Sequence, residues 1–160
     1  MTMLLAHPAI DKNCKDTEYE QTPLSWATRH GHERVARKLL LAMEGVDVNL
    51  PDKALMTPLA WAARTGSARD GHRAVVPLLL ENKSVDVNSR DMYSRTPLMW
   101  AAREGHNIVI EMLLLKEGVH VNCQDRYGRT PLAWAEEHGH GSIAKLLRVR
   151  RSPTFPIGER

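Results

Sequence analysis

The sequence predicts an all-α solenoid in which helix-turn-helix units are joined by short β-hairpin fingers. Three observations predict this fold class. The string Thr-Pro-Leu-x-Trp-Ala occurs four times, beginning at Thr22, Thr57, Thr96 and Thr130. The successive threonines lie 35, 39 and 34 residues apart. Each of the last three copies follows an alternating Val-x-Val-Asn segment and an aspartate. A unit that recurs at this period indicates stacked supersecondary units that share one core.

Each element of the unit has a local physical reason. Thr favours the N-cap of a helix, and Pro at the first helical position loses no N–H that the helix needs. Alanines follow where neighbouring helices must approach closely, and a glycine nine residues after the Thr ends the first helix. Leucine-rich segments such as ERVARKLLL predict a second helix. The segment VDVN then predicts a short strand, and the Asn and Asp after it suit a turn.

The second unit departs from the pattern. The segment SARDGH is an insertion between its two helices, and Pro77 is expected to kink or delay the second helix. Leu55 and Ser94 occupy the finger position that Gly128 occupies in the last unit. Because a left-handed residue other than Gly costs about 1 kcal/mol or more, fingers 49–57 and 88–96 are expected to differ from the last one.

The ends also depart from the repeat. Residues 1–16 are expected to be a partial repeat without its first helix, so that the chain begins inside a repeat. Residues 149–160 lose the periodicity and predict a flexible basic tail. The four full units between them are expected at 17–51, 52–90, 91–124 and 125–148.

The Thr-Pro-Leu starts, the alanines, the turn glycines and the VDVN segments resemble the ankyrin-repeat family. The resemblance covers residues 1–148, and tryptophan where the family often has leucine is similar to fungal-type arrays. It implies a non-catalytic protein–protein interaction module whose concave face and fingers bind a partner. The alternative is a substrate- or signal-recognition region of a larger enzyme or of a NACHT-type, nucleotide-driven signalling protein.

Composition and charge argue against several classes of protein. There are 22 Lys and Arg against 19 Asp and Glu, so the net charge of +3 is too small to predict nucleic-acid binding by itself. No apolar run approaches the roughly 18 residues of a membrane helix, and the N-terminus has no basic leader. We therefore expect an intracellular protein, cytoplasmic or nuclear, that is monomeric. Cys14 and Cys123 occupy equivalent positions three repeats apart and are expected to be free thiols.

Two groups of residues suggest either a site or simple packing. His30 with His32, and His138 with His140, flank turn glycines, but each turn offers too few ligands for a metal ion. The histidine after the glycine is a family feature that is expected to hydrogen-bond locally. The four tryptophans share one phase of the repeat, which favours a packed ladder over an aromatic ligand cage, although one end of the array could be exposed.

Tyrosines and arginines are the candidate binding residues. The tyrosines recur three residues before the Thr, in the fingers, where they either stiffen the turn or anchor a partner. Arginines recur seven residues after the Thr, where they complement a helix C-terminus, form a basic stripe, or do both. The predicted partner-binding residues are Tyr19, Arg29, Arg64, Met92, Tyr93, Arg95, Arg103, Arg126, Tyr127 and Arg129.

Few other sequence motifs indicate a catalytic or binding function. No nucleophile with a base, phosphate-binding loop or carboxylate pair has convincing spacing, so we expect no catalytic residue, metal, cofactor or small-molecule substrate. The arginine stripe and the tyrosines favour a protein partner that is acidic or phosphorylated, and nucleic acid is disfavoured. The tail segment RSPTFP resembles the phosphorylated motif that 14-3-3 proteins bind, which makes Thr154 a candidate phosphosite.

Overall fold

The computed structural model describes residues 11–42, 44–66 and 72–151. The partial repeat before residue 11, most of the second-unit insertion, and the tail with Thr154 therefore lie outside the described residues. Eight helices occur in the described part of the chain. They are α1 (Pro23–Arg29), α2 (Glu33–Ala42), α3 (Pro58–Thr65), α4 (His72–Glu81), α5 (Pro97–Glu104), α6 (Asn107–Leu115), α7 (Pro131–Glu137) and α8 (Gly141–Arg151). The last helix thus runs three residues past the predicted start of the tail.

The helices form two layers. The inner helices α1, α3, α5 and α7 pack side by side, and so do the outer helices α2, α4, α6 and α8. Each inner helix also packs against the outer helix of its own unit. This arrangement confirms the all-helical solenoid that the repeat predicts.

The predicted N-caps are present in all four units. The Oγ1 atoms of Thr22, Thr57, Thr96 and Thr130 each accept a hydrogen bond from the backbone N–H three residues later. Proline occupies the first helical position each time. Because the cap satisfies an otherwise orphaned donor, every inner helix begins at a defined residue.

Small residues allow the inner helices to approach closely. Ala62, Ala63, Ala101 and Ala102 are completely buried in a continuous core that also contains leucines and valines of the outer helices. Pro77 lies inside α4, which begins five residues before it, so the expected delay of this helix is wrong. Proline removes one helical hydrogen bond, and the buried Leu78 to Leu80 hold the helix in place.

The segment VDVN does not form the predicted strand, and no strand occurs in the part of the chain that the structure describes. Instead, the Asn side chains link successive repeats. Asn49 Nδ2 donates to the Ser84 carbonyl at 2.6 Å, and its Oδ1 accepts from Asp86 N–H at 2.8 Å. Asn13 and Asn88 make the same pair of bonds to the following repeat. An amide that donates and accepts can replace a strand ladder here.

The fingers are turns rather than β-hairpins. In each of the last three, the Asp that starts the turn donates its N–H to the carbonyl four residues later, at 3.0 Å. Successive fingers share one backbone hydrogen bond, as from Met92 N–H to the Ala54 carbonyl at 3.0 Å. Leu55 (φ 60°) and Ser94 (φ 61°) adopt the same left-handed conformation as Gly128 (φ 76°). The expectation that their fingers would differ is therefore wrong, because the hydrogen bonds outweigh the local strain.

Candidate functional site

The candidate site begins with the aspartate at the start of each finger. Asp91 Oδ1 accepts hydrogen bonds from the backbone N–H groups of Tyr93 and Arg95, at 2.8 and 2.9 Å. Asp125 does the same for Tyr127 and Arg129, at 2.8 and 2.9 Å. Both carboxylates are buried. A single buried acid thus fixes the turn and places one tyrosine and one arginine beside the inner helices.

The first finger has the same design in a more exposed form. Asp16 accepts from the N–H groups of Glu18, Tyr19 and Gln21. The backbone N–H of Tyr19, with the other two, lowers the pKa of the Asp16 carboxyl below its ordinary value. This finger therefore keeps an ionised carboxylate at its base.

The second carboxylate oxygen connects two fingers to the tryptophans. Trp61 Nε1 donates to Asp52 Oδ2 at 2.8 Å, and Trp134 Nε1 donates to Asp125 Oδ2 at 3.1 Å. The third finger is different, because Arg95 Nε takes Asp91 Oδ2 at 2.9 Å. Trp100 Nε1 is consequently buried without a hydrogen-bond partner among the described residues.

Arginines and tryptophans alternate along the inner helices. Arg29, Arg64 and Arg103 lie in the last turns of α1, α3 and α5. The Cζ atom of Arg64 is 5.2 Å from the ring centroid of Trp61 in its own helix and 4.6 Å from that of Trp100 in the next. Arg103 lies 5.2 Å from Trp100 and 5.4 Å from Trp134. These cations therefore lie at helix C-termini and in contact with aromatic rings of successive repeats.

Three guanidinium groups surround the ring of Trp100. The Cζ atoms of Arg95, Arg64 and Arg103 lie 4.0, 4.6 and 5.2 Å from its centroid. Desolvation by burial lowers the pKa of Arg64, attraction to Glu104 opposes this change, and repulsion from Arg103, Arg95 and Arg29 lowers the pKa further. Arginine stays charged at any ordinary pH, so the lowered pKa means that its charge is less well solvated than in water.

These side chains enclose a groove of about 510 Å³ between the inner helices and the last two fingers. Its floor includes Trp100, and the rings of Tyr93 and Tyr127 stack with their centroids 6.3 Å apart. We call this surface the arginine groove. Its lining residues are Arg64, Tyr93, Arg95, Trp100, Arg103, Tyr127 and Arg129.

The arginines of the groove differ in their counter-ions. Arg95 is paired with Asp91, and Arg129 contacts Asp125 at 3.4 Å and Glu137 at 3.3 Å. Arg103 has only Glu104 at 3.8 Å, and its Nε lacks a hydrogen-bond partner within the described residues. No carboxylate of the described residues lies within 4.0 Å of Arg64. Positive charge is therefore least balanced at Arg64 and Arg103.

Six of the ten predicted binding residues line this groove, and four do not. Tyr19 and Arg29 line a separate hollow at α1 with the exposed Trp26. Met92 is exposed on the third finger, and Arg126 lies 6.0 Å from the Tyr93 centroid, outside the groove lining.

The packing prediction holds for three tryptophans. Trp61, Trp100 and Trp134 are buried, while Trp26 is 47% exposed and stacks on His30. The prediction from the sequence favoured a packing role for Trp100 and did not identify it as part of the groove lining. The spacing of three residues between Trp100 and Arg103 was the available signal, because it places both on one face of a helix.

His106 and His140, which follow turn glycines, hydrogen-bond to the backbone of the preceding unit rather than locally. The Nε2 atoms of His106 and His140 reach the carbonyls of Arg64 and Arg103 in the preceding unit, at 3.1 and 3.0 Å. A carbonyl only accepts, so each Nε2 carries the proton. Gly105 is left-handed (φ 80°), and a Cβ there would lie 2.5 Å from the ring of His140. These histidines therefore fix the backbone that carries two groove arginines.

The comparisons with known proteins agree with this architecture. The family model for ankyrin repeats (3 copies) matches residues 1–91 and 67–153. No curated protein matches the chain. Within the described part of the chain, every helix is too short or too polar to cross a bilayer. The repeat, the two helical layers and the family match together show that the chain belongs to the ankyrin-repeat family.

Proposed function

We propose that this protein is a non-catalytic interaction module that binds an acidic segment of a protein partner in the arginine groove. Ankyrin repeats are generally protein–protein interaction modules and generally lack catalytic activity. The observation that carries the proposal is the incompletely balanced charge of Arg64 and Arg103 beside two stacked tyrosines. The module acts as a monomer in the cytoplasm or nucleus.

The groove is lined by residue types that favour tight binding of a protein partner. Arg and Tyr are enriched among residues that dominate binding energy, because they contribute large contact areas and directed hydrogen bonds. The two tyrosines are held by stacking and by buried aspartates, so little side-chain freedom is lost on binding. A guanidinium group also binds a carboxylate with two parallel hydrogen bonds.

The other finger arginines extend the proposed surface. Arg126 and Met92 lie on the same fingers as the groove tyrosines, so they would contact residues that flank the bound segment. Tyr19 and Arg29 belong to the hollow at α1 and would engage a longer partner. The second finger carries Lys53 to Met56 without a tyrosine and should contribute less.

A double variant tests the proposal. The protein with Tyr93→Ala and Arg103→Ala serves as bait in an affinity pull-down beside the unchanged chain. We expect binding of the captured partner to weaken by about 2–4 kcal/mol, or roughly 30- to 900-fold. Arg103 and Tyr93 are only partly exposed, so a urea unfolding curve must show that the variant is folded at the assay temperature.

Matched controls are available on the outer helices. Glu33→Ala in α2 and Lys145→Ala in α8 remove one charge each on the opposite layer. They should leave partner binding unchanged. Partner affinity that survives the double change but is lost in either control would place the interface on the outer helices and refute the proposal.

A further inference from the structure

We propose that the arginine groove selects a phosphorylated side chain of its partner, which is held between Arg64 and Arg103 above Trp100. This inference rests on the proposed function and adds the chemical class of the bound group. The bound group is a phosphomonoester dianion on a protein side chain. Arg95 completes the cluster around the same indole ring.

The spacing of the guanidinium groups suits one tetrahedral anion. The Cζ atoms of Arg64, Arg95 and Arg103 lie within 5.2 Å of the Trp100 centroid. No two of them can therefore be more than twice that distance, about 10 Å, apart. An anion that accepts charge-assisted hydrogen bonds of about 2.8 Å from two guanidinium groups holds their carbons roughly 8 Å apart. Arg64 and Arg103 also line the same groove, which supports their contact with one shared phosphate.

The balance of charge favours phosphate over carboxylate. Asp91 already occupies one fork of Arg95, and the weak contact at 3.8 Å from Glu104 leaves Arg103 only partly compensated. Arg64 adds a full charge without a carboxylate within 4.0 Å in the described structure. A phosphomonoester brings about −1.5 to −2 charges and three acceptor oxygens, whereas a carboxylate brings one charge and two oxygens. The phosphomonoester is therefore attracted more strongly than a carboxylate, and its third oxygen can accept from the arginine donors that Asp91 and Glu104 leave unused.

The two arginines are also held in place before an anion arrives. The imidazoles of His106 and His140 hydrogen-bond to the backbone carbonyls of Arg64 and Arg103. The guanidinium groups lie against tryptophan rings from two successive repeats. These two histidines are positioning residues. Because the arginines are fixed beforehand, binding loses less side-chain entropy than it would at a flexible lysine patch.

The distribution of charge favours a phosphorylated protein over a nucleic acid. Gln21 and Met56 occupy the finger positions that hold Arg95 and Arg129 in the last two units. Glu137 takes the place of the inner-helix arginine in α7. The arginine rows are therefore interrupted at the first two fingers and at α7, whereas a nucleic-acid strand needs an unbroken row of contacts along its backbone.

The test uses small probes and the full chain. The ¹⁵N-labelled protein is titrated at constant ionic strength with N-acetyl-phosphoserine amide, phenyl phosphate, N-acetyl-glutamate amide or an eight-nucleotide thymidine strand. The reporter is the indole N–H signal of Trp100, identified by its disappearance in Trp100→Phe. Because this N–H has no partner among the described residues, its chemical shift should respond to an anion nearby.

We expect both phosphomonoesters to shift the Trp100 signal and to bind at least about tenfold more tightly than the glutamate probe. Arg64→Gln and Arg103→Gln should each weaken phosphate binding about tenfold. Arg64→Lys should weaken it several-fold, since it keeps the charge but removes the fork. Arg34→Gln on α2 makes the same charge change outside the groove and should have no effect.

Each contrary outcome has a distinct meaning. Glutamate binding as tight as phosphoserine, or an Arg64→Gln variant that binds normally, would overturn the phosphate site. If Tyr93→Ala with Arg103→Ala still loses the protein partner in that case, the proposed function stands without this inference. Tighter binding of the thymidine strand, with shifts spread along all fingers, would indicate a nucleic-acid surface and overturn both proposals.

Discussion

The buried indole nitrogens of Trp61 and Trp100 should respond differently to the same substitution. Trp61 Nε1 donates to the buried Asp52 carboxylate at 2.8 Å, whereas Trp100 Nε1 lacks a partner among the described residues. Changing each tryptophan to Phe removes the N–H and part of the ring. Both changes also weaken cation–π contacts with neighbouring arginines, so the loss of stability from these contacts is similar in the two variants.

The magnitudes follow from the hydrogen bonds. The smaller ring costs about 1–1.5 kcal/mol at either site. At Trp61 the lost bond to a charged group adds about 1.5–3 kcal/mol, because among the described residues Asp52 Oδ2 would retain only Gln21 Nε2 at 3.4 Å. At Trp100 the removal of an unsatisfied buried donor recovers about 1–3 kcal/mol. We therefore expect Trp61→Phe to cost about 2.5–4.5 kcal/mol and Trp100→Phe no more than about 0.5 kcal/mol.

Urea unfolding followed by far-ultraviolet circular dichroism measures both variants without relying on tryptophan fluorescence. A double-mutant cycle with Asp52→Asn should return a coupling energy of about 1.5–3 kcal/mol with Trp61→Phe. The equivalent cycle of Asp91→Asn with Trp100→Phe should return nearly zero. If Trp100→Phe is as destabilising as Trp61→Phe, then the assignment of Asp91 to Arg95 in place of Trp100 is wrong.

Two further substitutions test the fingers and the links between repeats. Leu55→Gly should stabilise the protein by about 1 kcal/mol, because Leu55 is half exposed and its backbone is left-handed. Gly128→Ala should destabilise the protein by about as much. Its cost comes from the left-handed φ alone, since nothing lies within 4 Å of a Cβ at this position. Thermal unfolding measures both, and a loss of stability in Leu55→Gly would show that the leucine side chain contributes more than its strain costs. Asn49→Ala should cost about 1–2 kcal/mol and speed amide exchange at Asp86, since two bonds to the next repeat are lost. Unchanged exchange at that amide would contradict the role of the Asn side chain.

Two departures from prediction, the missing strand and the left-handed finger residues, share one physical origin. VDVN alternates as a strand does, yet the Asn side chain satisfies the backbone of the next repeat and no ladder forms in the described residues. Leu55 and Ser94 accept left-handed strain because a buried aspartate holds each turn with two hydrogen bonds. In both cases a side-chain hydrogen bond overrides the local preference of the backbone.

The sequence by itself determined the repeat, the helix starts and the rows of residues along the solenoid. These features follow from short-range rules, because capping, turn chemistry and helical spacing involve residues within one unit. The same periodicity identified Arg64, Arg95, Arg103, Arg129, Tyr93 and Tyr127 as neighbours in rows. Only the tertiary structure decided that two rows meet in one groove, because that depends on contacts between units.

The tertiary structure also decided which arginine has a counter-ion. Arg95 donates a hydrogen bond to the finger aspartate, whereas in two other units a tryptophan donates to the equivalent aspartate. Arg64 instead lies against the tryptophan rings of two successive repeats. Asp, Trp and Arg stand at matching places in the sequence, so spacing alone does not distinguish these pairings. Competition between two donors for one buried carboxylate oxygen depends on how their side chains pack, and that competition leaves Trp100 without a partner among the described residues.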